Sequence, residues 1–169
     1  DPFSTFGKLR EAPGTTVGSI KDMSGLRMDI DPTRPGFSEY YRAQGTADDL
    51  FGDTMKLKQD YIKKPNRWGY TGRIHNHISS PNGLTHELQV GSRDLSKFID
   101  QKLVTSGGDA IKLHDATGYK GQLHGVKLPK HLEGQYTQLM GKITDANRAG
   151  KTVSQVPKLQ AQLTDFNRQ

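Results

Sequence analysis

Two residues with obvious chemical use, Glu87 and Gln89, stand two apart in the run 84–90, and two imidazoles, His75 and His77, stand two apart in the run 73–78. A carboxylate beside an amide and an imidazole can orient a hydroxyl or hold a divalent cation. Just upstream lies a dense positive run, Lys58, Lys63, Lys64, Arg67 and Arg73, interleaved with Tyr61, Trp68 and Tyr70. Phosphoryl transfer needs charge neutralisation and positioning more than covalent help from the protein, and an aromatic ring gives a purine base a face to stack on. The chemistry these types suggest is therefore work on a phosphorylated nucleotide.

The elements that must position these groups are legible in part. Residues 73–78 and 84–90 flank Ser79-Ser80-Pro81-Asn82-Gly83, and Asn-Gly between two strand-like runs signals a β-hairpin. In the second run Leu84, His86, Leu88 and Val90 point one way and Thr85, Glu87 and Gln89 the other. A loop of three or five residues puts His75 on the face of Glu87, whereas a two-residue turn flips the parity. The longer loop is expected, because Pro81 has no N–H to give a ladder. The triplet His75-Asn76-His77 spells the letters of a nuclease class, but adjacent strand residues face opposite ways, so the spelling is coincidence.

Upstream, Leu26, Met28 and Ile30 alternate with Arg27 and Asp29, which predicts a strand, with Asp22 and Gly25 just before it. Taken alone, Asp22 reads as a turn or helix-cap residue.

The order of these elements resembles the RelA/SpoT family of synthetases. The matching elements are Asp22-x-x-Gly25-x-Arg27, Asp60-Tyr61-Ile62, Pro65, Gly69-Tyr70, His75 and Glu87-Leu88-Gln89, followed by His114 and Tyr119-Lys120. Several fixed elements in one order are more specific than a single short motif. The chain departs from the pattern in carrying one extra residue between Tyr70 and His75, Asn66 where a Lys follows the Pro, and Gly91-Ser92-Arg93 where an Arg-Thr pair is usual. The chain also departs from the pattern in that the family's N-terminal helices, with their ATP-binding basic residues, are mostly missing.

The resemblance implies a magnesium-dependent pyrophosphokinase that moves the β,γ-pyrophosphate of ATP to the 3′-hydroxyl of a purine nucleotide, a guanosine or adenosine phosphate. It implies catalytic roles for Glu87, Asp22, Gln89 and His75, with Asp22 and Glu87 holding Mg2+. Arg27, Lys58, Lys63, Lys64, Arg67, Arg73 and Lys120 would meet phosphate, and Tyr70 would stack on the acceptor base. Two other readings stand beside it: the same chemistry on the tRNA 3′ end, and a non-catalytic, basic nucleic-acid binder on a decayed synthetase scaffold.

The 169 residues suit one domain, with 1–16 an irregular arm, 17–120 the catalytic core and 121–169 a C-terminal helical cover on the sheet. The expected class is α/β: a small mixed sheet of about five strands flanked by helices. Ser38 is expected to cap a short helix that Gly45 ends, and residues 92–103 read as an amphipathic helix capped by Ser92. Ser106-Gly107-Gly108 breaks the chain, a helix runs through Leu132, Tyr136, Leu139, Met140 and Ile143 despite Gly134 and Gly141, and Pro157 starts another.

Apolar residues make up only 32% of the chain, with 19 glycines, which predicts extensive loops and a thin core. There are no cysteines, which excludes disulfides and cysteine-ligated zinc. No run is long and apolar enough for a membrane span, so no membrane partner is expected. A net charge of +6 suits polyanions such as ATP, nucleotides or tRNA, and equally suits a merely soluble basic surface; no DNA is expected. The chain opens on Asp1-Pro2. The expectation drawn from this is the toxic C-terminal piece of a larger bacterial effector, acting in the cytoplasm of a target cell and met by an acidic immunity protein, with a small housekeeping alarmone synthetase as the equal alternative.

Overall fold

The computed structural model describes residues 21–66, 69–104, 110–117 and 128–168, with the backbone alone at 21–24, 102–104, 110 and 111. Four strands form one mixed sheet: β1 (Lys21–Ile30), β2 (Met55–Asp60), β3 (Arg73–Ser79) and β4 (Thr85–Ser92). Their spatial order is β1-β4-β3-β2, with β1 parallel to β4 and the other pairs antiparallel. A separate two-stranded ribbon joins β5 (Lys102–Val104) to β6 (Ala110–Lys112). The mixed α and β character is as expected; the main sheet has four strands among the described residues rather than about five.

The β3–β4 connection is the longer loop. Ser79 pairs with Thr85 across five loop residues, and Ser80 closes it by exchanging backbone hydrogen bonds with Leu84 and Gly83. The parity follows: Arg73, His75, His77, Glu87 and Gln89 share one face, and Ile74, Ile78, Leu88 and Val90 share the other. The parallel register of β1 against β4 adds Arg27 and Asp29 to the polar face and Met28 and Ile30 to the apolar one.

The apolar face is covered by α1 (Ser38–Phe51). Tyr40 and Ala47 of that helix pack with Phe37, Met55, Ile74, Ile78, Leu88 and Val90. α1 runs straight through Gly45, where the sequence predicted a stop, and ends at Gly52, whose φ of 49° suits a residue without Cβ. A helical glycine costs about 1 kcal/mol relative to alanine. Burial of Tyr40 and Ala47 on the sheet outweighs it. Ser38 is not the cap either: the residue before the helix is Phe37, in left-handed backbone at φ 60°. One polar clasp sits inside this layer. Asn76, fully buried, exchanges two hydrogen bonds with Gln44 of α1, at 2.8 and 3.1 Å.

After β4 the chain enters α2 (Arg93–Ile99), with Ser92 as N-cap: its hydroxyl accepts the Leu95 N–H at 2.9 Å. The helix stops at Ile99, short of Leu103, which lies in β5; the ribbon's pairing takes over the backbone groups a longer helix would have used. The C-terminal segment supplies α3 (Lys130–Arg148) and α4 (Pro157–Phe166). Gly134 and Gly141 lie within α3; at about 1 kcal/mol each they are outweighed by burial of Tyr136, Leu139, Met140 and Ile143 on the same helix. These helices build a second core with α2, in which Leu95, Phe98, Tyr136, Leu139, Met140, Ile143, Leu159 and Phe166 meet. They back α2 and the loop leading into β3, where a cover on the sheet was expected. The arm at 1–16 and the break at 106–108 lie outside the described residues.

Candidate functional site

The loop between β2 and β3 is pinned at both ends. Asp60 accepts the Ile62 and Lys63 N–H groups on Oδ1, both at 3.0 Å, and the Tyr41 hydroxyl on Oδ2 at 3.1 Å. The Asp60-Tyr61-Ile62 run is thus a side-chain-capped turn. Further on, Asn66 accepts the Tyr70 N–H at 2.8 Å through its side-chain oxygen and bonds the Tyr70 carbonyl through its own N–H at 3.0 Å. An amide at position 66 therefore does what a lysine there could not: it accepts a hydrogen bond.

Two glycines seat the loop on α3. A Cβ at Gly69 would come 2.3 Å from Thr137 Cγ2, and one at Gly72 would come 2.8 Å from Thr144 Oγ1 and 3.0 Å from Leu95 Cδ2. Both have φ near 77–78°, in the left-handed region. This seating delivers Tyr70 from the second core to the polar face of the sheet, where its hydroxyl lies 3.0 Å from His75 Nε2.

His75 is the hinge of the site. Its Nδ1 lies 3.0 Å from Glu87 Oε1. Glu87, when ionised, only accepts, so Nδ1 donates, and in the neutral imidazole Nε2 accepts from Tyr70. Gln89 Nε2 donates to Glu87 Oε2 at 2.7 Å, and Lys58 Nζ stands 3.5 Å from Oε1. Burial opposes ionisation of Glu87, but the His75 hydrogen bond and charge, the Gln89 bond and Lys58 more than reverse it and hold the carboxyl down at about 2. Burial of the Tyr70 phenol pushes it up to about 12, which keeps it a neutral donor.

Beyond Gln89 the chain of bonds continues. Arg73 donates from one terminal nitrogen to Gln89 Oε1 at 2.6 Å and from the other to Ser96 on α2. Ser96 in turn donates to Asp29 of β1. Arg27, opposite Gln89 in register, is bonded to Asp100, which also meets Lys112 at 3.1 Å.

Glu87, Gln89, His75 and Lys58 are thus brought together. Arg27 shares their face but is held by Asp100. Lys63 is exposed, near the Tyr41 ring at 5.1 Å, and Lys64 is exposed on the same turn. Two expectations are corrected. Arg73 is fully buried, with its terminal nitrogens spent on Gln89 and Ser96, so it does not meet a phosphate. Tyr70 is buried among Tyr61, His75 and His114, with ring centroids 5.0–5.6 Å away, and offers no face to a base. Arg67, Trp68, Tyr119, Lys120 and the Asp22 side chain lie outside the described residues.

The backbone of Asp22 is placed. Lys21 pairs with Thr85 and Gly25 with Glu87, so β1 bulges between them, and Asp22 lies in that bulge, next to the Lys21–Thr85 pair. Comparison of the chain with protein-family models, with characterised proteins and with solved structures returned no match. Sequence reasoning missed Ser96, Asp29 and Asp100, which belong to the network only because α2 and the end of β1 fold onto it. A short spacing signalled Ser92 as a cap; nothing comparable marks Ser96.

Proposed function

We propose that the chain is a magnesium-dependent pyrophosphokinase of RelA/SpoT type, transferring the β,γ-pyrophosphate of ATP to the 3′-hydroxyl of a purine nucleotide. The observation that supports this most is Glu87. It is a carboxylate fixed by His75, Gln89 and Lys58, on a strand whose parallel neighbour, β1, has Asp22 in its bulge.

Among the described residues no cluster of three or more metal-ligating side chains occurs. Two carboxylates on adjacent strands fit magnesium, which takes few protein ligands and otherwise keeps water and substrate phosphate oxygens. Asp22 and Glu87 would hold it. When bound, it would neutralise charge on the transferred phosphates. The chain's own groups do the rest. Glu87 accepts the hydrogen bond of the 3′-hydroxyl and aims its oxygen at the β-phosphorus. A carboxyl held near 2 is too weak a base to keep the proton, which leaves to solvent as the new P–O bond forms and AMP departs. Lys58 faces the triphosphate, whereas Lys63 is turned to Asp60 at 3.7 Å and to the Tyr41 ring on the α1 side. Tyr61, half-buried and packed beside Tyr70 and His75, is the less enclosed of the two rings and would be the one to meet a base.

The experiment is AMP release from ATP and magnesium with GDP, GTP, ADP, ATP or deacylated tRNA as acceptor, beside Glu87→Gln. AMP with one acceptor, lost in the variant, is expected and names the substrate. Folded protein that releases no AMP with any of them refutes the enzyme. Nucleic-acid binding that survives Glu87→Gln and weakens steeply with salt would then establish the binder.

A further inference from the structure

Among the described residues Arg73 is a buried cation without a direct ion pair; Asp29 and Asp100 favour its charge from beyond contact distance. It is fully buried, and among the described residues no carboxylate lies within ion-pair distance of it. Its acceptors are neutral, an amide and a hydroxyl, and its Nε has no hydrogen-bond partner among the described residues. A methionine would fill the same space without the desolvation cost. The fold nevertheless makes room for it: Arg73 lies opposite Gly91, where a Cβ would come 2.7 Å from Arg73 Cγ.

What a guanidinium supplies here is direction. It carries donors only, so the group it touches must present an acceptor. Gln89 therefore turns Oε1 to Arg73, which leaves Nε2 to face Glu87 Oε2. Flipped, the same amide would set an oxygen against the carboxylate. On its other side Arg73 occupies an acceptor site of Ser96, whose hydroxyl proton then serves Asp29 or the Ser92 carbonyl, 3.0 Å away. The Gln89 half of the network takes its polarity from this residue.

We propose that Arg73 is a positioning residue: it locks the Gln89 amide so that Glu87 is held in a single orientation for catalysis. This rests on the pyrophosphokinase reading for its kinetic consequence but not for its geometric one, and the test separates the two. The variants are Arg73→Met, which keeps the apolar stem, and Arg73→Lys, which keeps one donor direction. In Arg73→Met kcat for AMP release is expected to fall ~10–100-fold, the range typical of removing a partner that orients an active group. KM for ATP and acceptor should stay within about threefold, and Arg73→Lys should fall between. In the absence of substrate and metal, the side-chain amide resonances of Gln89, assigned with Gln89→Glu, should be dispersed and slow to exchange in the wild type. They should collapse toward free-amide positions in Arg73→Met.

Unchanged Gln89 resonances, or an unchanged kcat in a folded Arg73→Met protein, overturn the proposal. If the wild type makes no AMP, the enzyme reading fails, and the Gln89 resonances alone decide whether Arg73 positions the amide. If Arg73→Met does not fold, Arg73→Lys carries both readouts. If neither variant folds, Arg73 serves stability and the proposal is overturned.

Discussion

Replacing Glu87 by Gln should change how stability depends on acid, by an amount the site fixes. In the folded chain the carboxyl is held at about 2 against an ordinary 4.5, because the His75, Gln89 and Lys58 contacts outweigh burial. At about 1.36 kcal/mol per pH unit, that separation corresponds to roughly 3 kcal/mol of stability tied to ionisation. The side chain is only 14% exposed, so solvent screens little of it. A lowered folded pKa makes the contribution complete above the unfolded value. It is lost as pH falls from about 4.5 toward 2, where the folded form also binds the proton. The amide introduced by Glu87→Gln cannot titrate. The stability difference between wild type and Glu87→Gln should therefore shrink by most of that amount, about 2.5 kcal/mol, between about pH 6 and about pH 2.5. Urea unfolding of both proteins at matched pH measures it, since carboxylates elsewhere cancel in the difference. Carbon-detected NMR of the Glu87 carboxyl locates the same transition directly. A difference that stays flat with pH, or a Glu87 carboxyl that titrates at about 4 or above, refutes the network as the cause.

Two further outcomes follow from the helical segment. Gly134 lies mid-helix with nothing within 4 Å of an added Cβ, so Gly134→Ala should stabilise by about 0.5–1 kcal/mol, read as a rise in Tm of a few degrees. Gly72→Ala should do the reverse by at least about 1–2 kcal/mol, since it places a side chain at φ 77° and 2.8 Å from Thr144; its Tm should fall while that of Gly134→Ala rises, and equal effects would contradict the seating of the loop on α3.

Much of the site's local grammar is written in the chain. Alternation along 84–90 and the Pro81-Asn82-Gly83 loop were enough to place His75, Glu87 and Gln89 on one face, because a strand's period of two leaves no other parity once the loop has five residues. Ser92 as a cap, α3 through its two glycines and α4 from Pro157 were equally legible, since capping and helical spacing act over a few residues. Helix ends were not. Gly45 is a local breaker that sheet packing overrides, and Leu103 is claimed by a ribbon whose pairing a helical pattern does not reveal.

Burial is what composition could not give. Arg73 and Tyr70 look like surface groups in a basic, aromatic loop, yet Gly69 and Gly72 seat that loop on a helix far along the chain and turn both inward. The sequence by itself determined which residue types share the polar face of the hairpin, because that depends on local periodicity. Only the tertiary structure decided their state: an ionised Glu87, a Gln89 of fixed orientation and a buried Arg73. Those depend on Ser96, Asp29 and α3, whose distances from the hairpin in space no local pattern encodes.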